Sequence, residues 1–345
     1  MNDQTPATIR RPRSDDRPLW DVYWGAYGYF AVHIAHGVGV FTLLASGPQT
    51  LVEVCQTLGL KRRAAEAILA VCTSHGLLGF GDGQYTLTAV AEDYLLPTSP
   101  TYFGSQFDWN LAHPEIITLD RFQRAVLTNQ PQAYEGGKEM FHTHEEEVAL
   151  AKQFTHAMHS ASMGPATAWP EKIDLSGHRV LLDVGGGSGA HAIGALWQWP
   201  HLHGIILDRL PVCEVAQEYA TKYGLTNRLG THAADMWNDP YPETDLHFYG
   251  MIFHDWPADQ CRFLARKSFE SLSSGGRIII HEMLFNQDRT GPFGVAAFNM
   301  VMLTYLDGEQ YSGREIAGFF REAGFTDIEV KPTFGYWSIV TGRKP

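Results

Sequence analysis

Cysteine is scarce in this 345-residue chain: Cys55, Cys72, Cys213 and Cys261 are scattered, with no C-x-x-C spacing among them. That argues against a disulfide framework and suits reduced thiols in a cytoplasmic protein. Positive charge is short as well. Lys and Arg number 26 against 38 Asp and Glu, a net charge of −12, whereas holding a nucleic-acid backbone takes clustered basic residues. No stretch is apolar enough to span a membrane. The polar residues 1–18, with Arg10, Arg11, Arg13 and Arg17, are not followed by the apolar core of a signal peptide and read as a flexible tail. Internal repeats and low-complexity tracts are missing too. What is present is a composition of 44% hydrophobic and 19% charged residues, enough for a sizeable core in two domains or in one with a large appendage.

Residues 19–45 are expected to be helical, with Leu19, Val22, Tyr23, Ala26, Tyr29, Phe30 and Ile34 on a broad apolar face that needs a partner. Residues 50–96 follow a helix–helix–hairpin rhythm. Thr50–Leu58 ends at Gly59, Lys61–His75 turns Ala64, Ala67, Ile68, Val71 and Cys72 inward, and Leu77–Phe80 and Gln84–Leu87 flank a Gly81-Asp82-Gly83 turn. This is a winged-helix pattern, which serves either DNA binding or dimerisation and packing. Only Lys61, Arg62 and Arg63 offer positive charge at the start of the second helix, so dimerisation is the expectation. Pro97–Pro100 closes this domain, taken as 19–100. Residues 101–165 read as helices separated by Pro114, Pro131 and Gly136-Gly137, rich in aromatics and methionines. From residue 166 to 345 strands and helices alternate, with strands at Arg179–Val184, Gly204–Leu207, Leu246–Tyr249 and Arg277–His281. Helices lie at Ala190–Trp199, Pro211–Tyr223, Ala258–Leu272 and Gly313–Ala323, and a closing hairpin pairs Ile328–Lys331 with Tyr336–Thr341. The expected fold is α/β: a doubly wound, Rossmann-like parallel sheet with one antiparallel addition, behind a mostly helical N-terminal domain.

The strongest local signal is Leu181-Leu182-Asp183-Val184-Gly185-Gly186-Gly187-Ser188-Gly189-Ala190, a buried strand running through a glycine turn into a helix. Glycines let the chain turn tightly and let a ligand approach its backbone. Gly185, Gly187 and Ala190 also meet the loose dinucleotide pattern, so the turn alone leaves the nucleotide open. Three aspartates narrow it. Asp183, two residues before Gly185, is unfavourable beside a pyrophosphate but suits the ammonium and sulfonium of S-adenosylmethionine. Asp208, at the next strand end, can accept both ribose hydroxyls. Asp235 can accept from an adenine amino group on which Met236 packs. Each aspartate also has a plain alternative as a strand-end cap, which three successive strand ends make less attractive. Ligands in such sheets lie beyond the carboxyl ends of the strands.

After the fourth strand comes Phe253-His254-Asp255-Trp256-Pro257, which puts His254 in that crevice. Histidine is the side chain best suited to take a proton near neutral pH. The next strand ends in Ile280-His281-Glu282. Neighbouring strands lie about 4.8 Å apart, so Glu282 is in position to orient His254. His254, Glu282 and Asp255 are the candidate catalytic residues.

Taken together, Asp183–Gly189, Asp208, Asp235-Met236, His254-Asp255-Trp256 and Glu282 resemble the class I S-adenosylmethionine-dependent small-molecule O-methyltransferases of plant phenylpropanoid and bacterial polyketide type. The resemblance runs from about residue 20 to the C-terminus. It implies a homodimer formed through the winged-helix-like domain, a cofactor held by the glycine turn, Asp208 and Asp235, and a histidine that deprotonates a phenolic or enolic hydroxyl with help from Glu282. The partner's N-terminal segment is implied to help close the pocket. Two positions depart from the family pattern. Many relatives carry lysine four residues before the histidine, where this chain has Gly250, and many carry a second supporting glutamate where this chain has Gln310, beside Glu309.

Aromatic and sulfur-bearing residues suggest an apolar or aromatic acceptor: Phe107, Trp109, Asn110, His113, Met158, Met163, Phe298, Met302 and Tyr305 are the pocket candidates. Other readings compete. A C-methyltransferase or a non-methylating enzyme would keep the cofactor, with or without a metal at His254 and Asp255 plus a further histidine drawn from His142, His144, His156 or His159; no metal is expected. A nicotinamide oxidoreductase leaves Asp183 and the His-Asp-Trp segment unexplained. A DNA-binding metabolite sensor would need more positive charge than this chain has.

Overall fold

The computed structural model describes residues 10–134 and 148–345. Residues 1–9 of the expected tail, the Gly136-Gly137 break and His142-Thr143-His144 lie outside the described residues. The chain divides between Ser99 and Pro100 into two units.

In the first unit the expected 19–45 helix is two helices, Arg17–Gly37 and Val40–Leu44, separated where Gly39 adopts φ +87°. Pro18 starts the first of them, where a missing N–H costs nothing. Helix Leu51–Leu58 opens with a capping box: the Thr50 hydroxyl accepts from the Glu53 amide at 3.3 Å, and the Glu53 carboxylate accepts from the Thr50 amide at 2.7 Å. In helix Arg62–Ser74 the buried stripe is Ala65, Leu69 and Cys72. Ala64 and Ala67, expected inward, are exposed. A helix with four alanines offers two overlapping stripes, and the larger Leu69 decides which one turns in. Strands β1 (Gln49–Thr50), β2 (Leu78–Gly81) and β3 (Gln84–Leu87) form an antiparallel sheet in the order β1-β3-β2, with the Asp82-Gly83 turn closing the hairpin. Helix Ala89–Tyr94 follows.

The second unit begins with helices Gly104–Ala112, Leu119–Thr128 and Val148–Ala168. Its sheet comprises β4 (Val180–Val184), β5 (His203–Asp208), β6 (Leu229–Ala233), β7 (Leu246–Gly250), β8 (Arg277–Met283), β9 (Thr326–Phe334) and β10 (Trp337–Arg343), in the order β6-β5-β4-β7-β8-β10-β9. The strands from β6 to β8 are parallel, and β10 joins antiparallel with Val340 opposite Ile280.

Side-chain alternation explains why the central strands are largely apolar, whereas the edge strands β6 and β9 are not. Leu182, Val184, Ile278 and Ile280 enter one buried cluster with Cys261, Leu264, Ile316 and Phe320. Their neighbours Leu181, Ile206, Phe248 and Ile279 enter another with Ile193, Ala216 and Trp169. Both faces are therefore dry, as a parallel sheet requires, and each such side chain contributes on the order of 1.5–3 kcal/mol. Helices Ala190–Gln198, Leu210–Lys222, Ala258–Ser271 and Gly313–Ala323 run between the strands as expected. Helix Phe293–Tyr305 was not anticipated: it is apolar on every side, so it shows no amphipathic period.

Candidate active site

The carboxyl ends of the parallel strands carry the candidate residues in order: Asp183 on β4, Asp208 on β5, Asp235 just past β6, His254 just past β7 and Glu282 on β8.

The glycine turn leaves β4 with Gly185, Gly187 and Gly189 at φ +65°, +57° and +78°, a conformation that other residues adopt only with strain. A Cβ on Gly185 would stand 2.5 Å from Ile252 Cδ1 and 4.0 Å from Met236 Sδ, which places Met236 at the turn. A Cβ on Gly187 would meet nothing within 4 Å, so the turn opens onto free space there. The Gly187 amide donates to Asp208 Oδ2 at 2.9 Å, and the Arg209 amide donates to Oδ1 at 2.7 Å. Burial nevertheless raises the Asp208 carboxyl to about 6.

Asp183 is more extreme. It is buried, neither of its carboxyl oxygens has a well-formed hydrogen bond, and burial, against the weak pull of the Ala192 amide and with the charge of Asp208 adding to it, pushes its pKa to about 8. A buried carboxyl without a well-placed donor is costly unless something positive arrives. S-adenosylmethionine, which carries a positive ammonium and a positive sulfonium, fits that requirement beside an open glycine turn. Asp235 is already engaged: its oxygens accept from the Trp237 amide at 2.9 Å and the Asn238 side chain at 2.8 Å. Burial opposes ionisation, yet these hydrogen bonds hold the Asp235 carboxyl below its ordinary range. The strand-end cap and the adenine acceptor are thus compatible uses of one side chain.

His254 sits in a short 3-10 turn, Phe253–Asp255, and is only 2% exposed. Its Nε2 lies 3.2 Å from Asp255 Oδ1 and its Nδ1 lies 2.8 Å from Gln310 Nε2. The Phe298 ring stands edge-on at 5.3 Å. Burial works against a charged imidazole, but the carboxylates of Asp255 and Glu282 outweigh it and raise His254 to about 9. Asp255 and Glu282 are raised in turn, chiefly by burial.

Glu282 does not orient the imidazole directly, as the sequence suggested. Its Oε1 accepts from the amides of Ile252, Phe253 and His254 at 3.2, 2.7 and 3.2 Å. It grips the backbone of the turn that carries the histidine and acts on the ring only through space. The reason is the abrupt bend after β7: the turn aims its free amides across at the neighbouring strand end.

The two departures also acquire physical reasons. Gly250 is glycine because His191 occupies its side-chain space; a Cβ there would lie 2.5 Å from His191 Cδ2. A lysine cannot stand there unless the buried His191 moves. Gln310 does reach His254, whereas its neighbour Glu309 pairs outward with Arg289 at 2.5 Å and cannot replace the missing carboxylate. Gln310 is fixed by a residue that sequence reasoning missed, Asn299, whose Oδ1 accepts the Gln310 amide at 2.7 Å. Helix Phe293–Tyr305, the element that carries Asn299, gave no periodic signal.

Among the pocket candidates, Trp109, Met302 and Tyr305 are buried in one cluster, with Met158 and Phe298 packed against it. Met163 belongs elsewhere, with Ala166 and Ala190 at the start of the helix that follows the glycine turn. Phe107 stacks edge-on with Phe103 at 5.4 Å, and Asn110 is half-buried on the same helix. His113 stacks on Trp109 at 4.2 Å. His156 and His159 pack with Tyr219. No cluster able to hold a metal occurs among the described residues, and no helix among them is long and apolar enough to cross a membrane.

Comparison with known proteins identifies the family. Residues 120–326 match the O-methyltransferase domain and residues 21–97 the O-methyltransferase dimerisation domain. The chain is 36% identical over 313 residues to 3-hydroxy-5-methyl-1-naphthoate 3-O-methyltransferase of Streptomyces sahachiroi, covering 90% of this chain and 89% of that one. It is 28% identical to N,N-dimethyltransferase OxyT of Streptomyces rimosus, covering 90% and 91%. Human N-acetylserotonin methyltransferase in complex with SAM shares the fold, with a TM-score of 0.83 at 24% identity over 97% of this chain and 99% of that one.

Proposed function

This chain belongs to the S-adenosylmethionine-dependent small-molecule O-methyltransferases that carry a dimerisation domain, and from that premise we propose that it methylates the phenolic hydroxyl of a flat aromatic acceptor with His254 as general base. One observation carries the reading. A buried imidazole, held on both nitrogens by Asp255 and Gln310, stands beside the Phe298 edge of a cluster built from Trp109, Met302 and Tyr305. Such surroundings favour an aromatic ring whose hydroxyl meets the imidazole.

When bound, S-adenosylmethionine supplies a methyl group on a positively charged sulfur. The chain does the rest. Asp183, Asp208 and the glycine turn hold the donor, and the aromatic cluster holds the acceptor. His254 takes the hydroxyl proton on Nε2 as the oxygen attacks, the hydroxyl entering at the 3.2 Å contact between Nε2 and Asp255 Oδ1, and Asp255 and Glu282 stabilise the resulting imidazolium. Glu282 also fixes the turn that aims the ring. Most of the acceleration comes from holding two reactants in line, where effective molarities of about 10⁵ M or more are attainable. With Nε2 as the base, Nδ1 keeps its proton, and Gln310, its amide turned so that the oxygen faces the ring, accepts from it.

The S. sahachiroi relative's name gives the first acceptor class to try, hydroxynaphthoates, with simple phenols beside them. The purified protein with S-adenosylmethionine and 3-hydroxynaphthoates is expected to form an aryl methyl ether and one S-adenosylhomocysteine per product. A ring-methylated product would move the assignment to carbon chemistry, and binding of the methyl donor without any transfer would remove this acceptor class.

We also propose that the enzyme works as a homodimer. In helix Arg17–Gly37 Leu19, Val22, Tyr23, Trp24, Tyr27 and Phe30 are all more than half exposed, and the match to a dimerisation domain covers them. Sedimentation of the 38.5 kDa chain should give twice its mass; a monomer at micromolar concentration would count against this.

A further inference from the structure

The glycine turn is held from a direction that the reaction does not use. Ser188, between Gly187 and Gly189, is buried at 4% exposure, and its hydroxyl shares a 2.8 Å hydrogen bond with Nδ1 of His159. His159 lies on helix Val148–Ala168, 29 positions earlier in the chain. Its ring is stacked on Tyr219 at 3.5 Å with 14° between the planes, and its Nε2 lies 3.4 Å from the Tyr223 hydroxyl. Tyr219 is anchored in turn by His156 Nδ1 at 3.0 Å. Tyr219 is on Leu210–Lys222, the helix that follows Asp208, and Tyr223 caps its C-terminal end.

We infer that His159 is a positioning residue for the donor site: through Ser188 it locks the glycine turn in the form that accepts S-adenosylmethionine. This rests on the assignment of the glycine turn as the donor site. Three observations support it. Gly185, Gly187 and Gly189 have no side chains with which to hold the turn, so an anchor on the side chain between them matters more. Among the described residues the Ser188 hydroxyl meets no hydrogen-bond partner besides His159. The ring is also immobile and uncharged: it is clamped between the hydroxyls of Ser188 and Tyr223 and the face of Tyr219, and burial, aided by the charge of Lys222, drives its pKa down to about 3. The anchor therefore keeps one protonation state throughout the working pH range, unlike His254, and no proton transfer can be assigned to it. The i, i+3 pair of His156 and His159 is explained as a brace between two helices and the turn, with no metal needed.

The test is calorimetric titration with S-adenosylhomocysteine, joined to steady-state kinetics. Losing one buried neutral hydrogen bond weakens binding by up to about tenfold. His159→Ala is expected to raise Kd for S-adenosylhomocysteine and KM for S-adenosylmethionine by about that factor. The acceptor KM, and kcat at saturation, should stay within about twofold. His159→Asn places an amide where Nδ1 stood and should restore most of the affinity. Ser188→Ala should match His159→Ala, and the double variant should be no weaker than either single one. Unchanged donor affinity in His159→Ala overturns the inference. So does an asparagine variant as weak as the alanine one, or a double variant with the two losses added, because either marks simple packing. If His159→Ala does not fold, Ser188→Ala against wild type decides alone. Failure of the wild-type chain to bind S-adenosylhomocysteine would instead remove the donor-site assignment.

Discussion

Replacing His254 with glutamine is expected to lower kcat by about 10²- to 10⁴-fold while S-adenosylhomocysteine binds with its wild-type Kd. Glutamine keeps a polar group between Asp255 and Gln310, so the loss reports the missing base and not two stranded carboxylates, which are expensive when buried. The pH profile makes the assignment specific. Asp255 and Glu282 hold His254 at about 9 in the free protein, so at neutral pH most of the population carries the proton that a base must lack. The sign follows: kcat/KM should climb by up to tenfold per pH unit through neutrality and level off near 9. In Gln310→Glu a further negative charge beside the ring should push this limb upward by about one unit. A His254→Gln enzyme with near wild-type turnover, or one with the same ascending limb, would end the general-base assignment.

The cost of such a high pKa is a base mostly protonated at pH 7; the benefit is a stable imidazolium once the acceptor proton has moved. Phenols ionise near 10, so a base at about 9 is well matched to the proton it must take, and the residual population of free base sets the rate. Glutamine at position 310 makes sense in this setting. Two carboxylates already face the histidine, and a third would hold its proton harder.

How much of this was legible in the sequence depended on sequence distance. The glycine turn, the three aspartates and His254 each follow a strand, and strand–helix alternation locates strand ends without knowledge of sheet order. Glu282 was placed correctly at the adjacent strand end, but its grip on three backbone amides was not foreseeable, because it depends on the bend after β7. The Gln310–His254 contact spans 56 positions, and only the family pattern pointed to it. Why position 250 is glycine was out of reach: His191 follows a different strand, and only the packed sheet brings the two together. The Ser188–His159 anchor was hidden for the same reason: Ser188 stood out only as part of the glycine turn, and His159 only as one of several histidines. Helix Phe293–Tyr305 and the inward stripe of Arg62–Ser74 were obscured differently, the first by uniform apolarity and the second by alanines that fit either face.

The donor site should itself depend on pH, because its deepest carboxyl starts out neutral. Burial raises Asp183 in the free protein to about 8, so at pH 6 or 7 it carries a proton, whereas a cationic ligand end calls for the carboxylate. Binding must then expel a proton. The affinity for S-adenosylmethionine is expected to rise by up to tenfold per unit between pH 6 and about 8 and to flatten above that. Calorimetry in two buffers of different ionisation enthalpy should count about one proton released at pH 7. Stability follows the same linkage with its sign reversed. A carboxyl raised on folding destabilises the free protein as pH climbs from its unfolded value of 3.8 toward about 8, and the bound cation removes that penalty. The gain in Tm on adding S-adenosylmethionine should therefore be larger at pH 8 than at pH 6. Asp183→Asn, which cannot ionise, should lose the slope and bind more than about tenfold more weakly at pH 8, since a shift of one pKa unit corresponds to about 1.4 kcal/mol. A Kd that is flat from pH 6 to 8 in the wild type, or a slope that survives in Asp183→Asn, would mean that the cation is met elsewhere, with Asp208, raised to about 6, next in line.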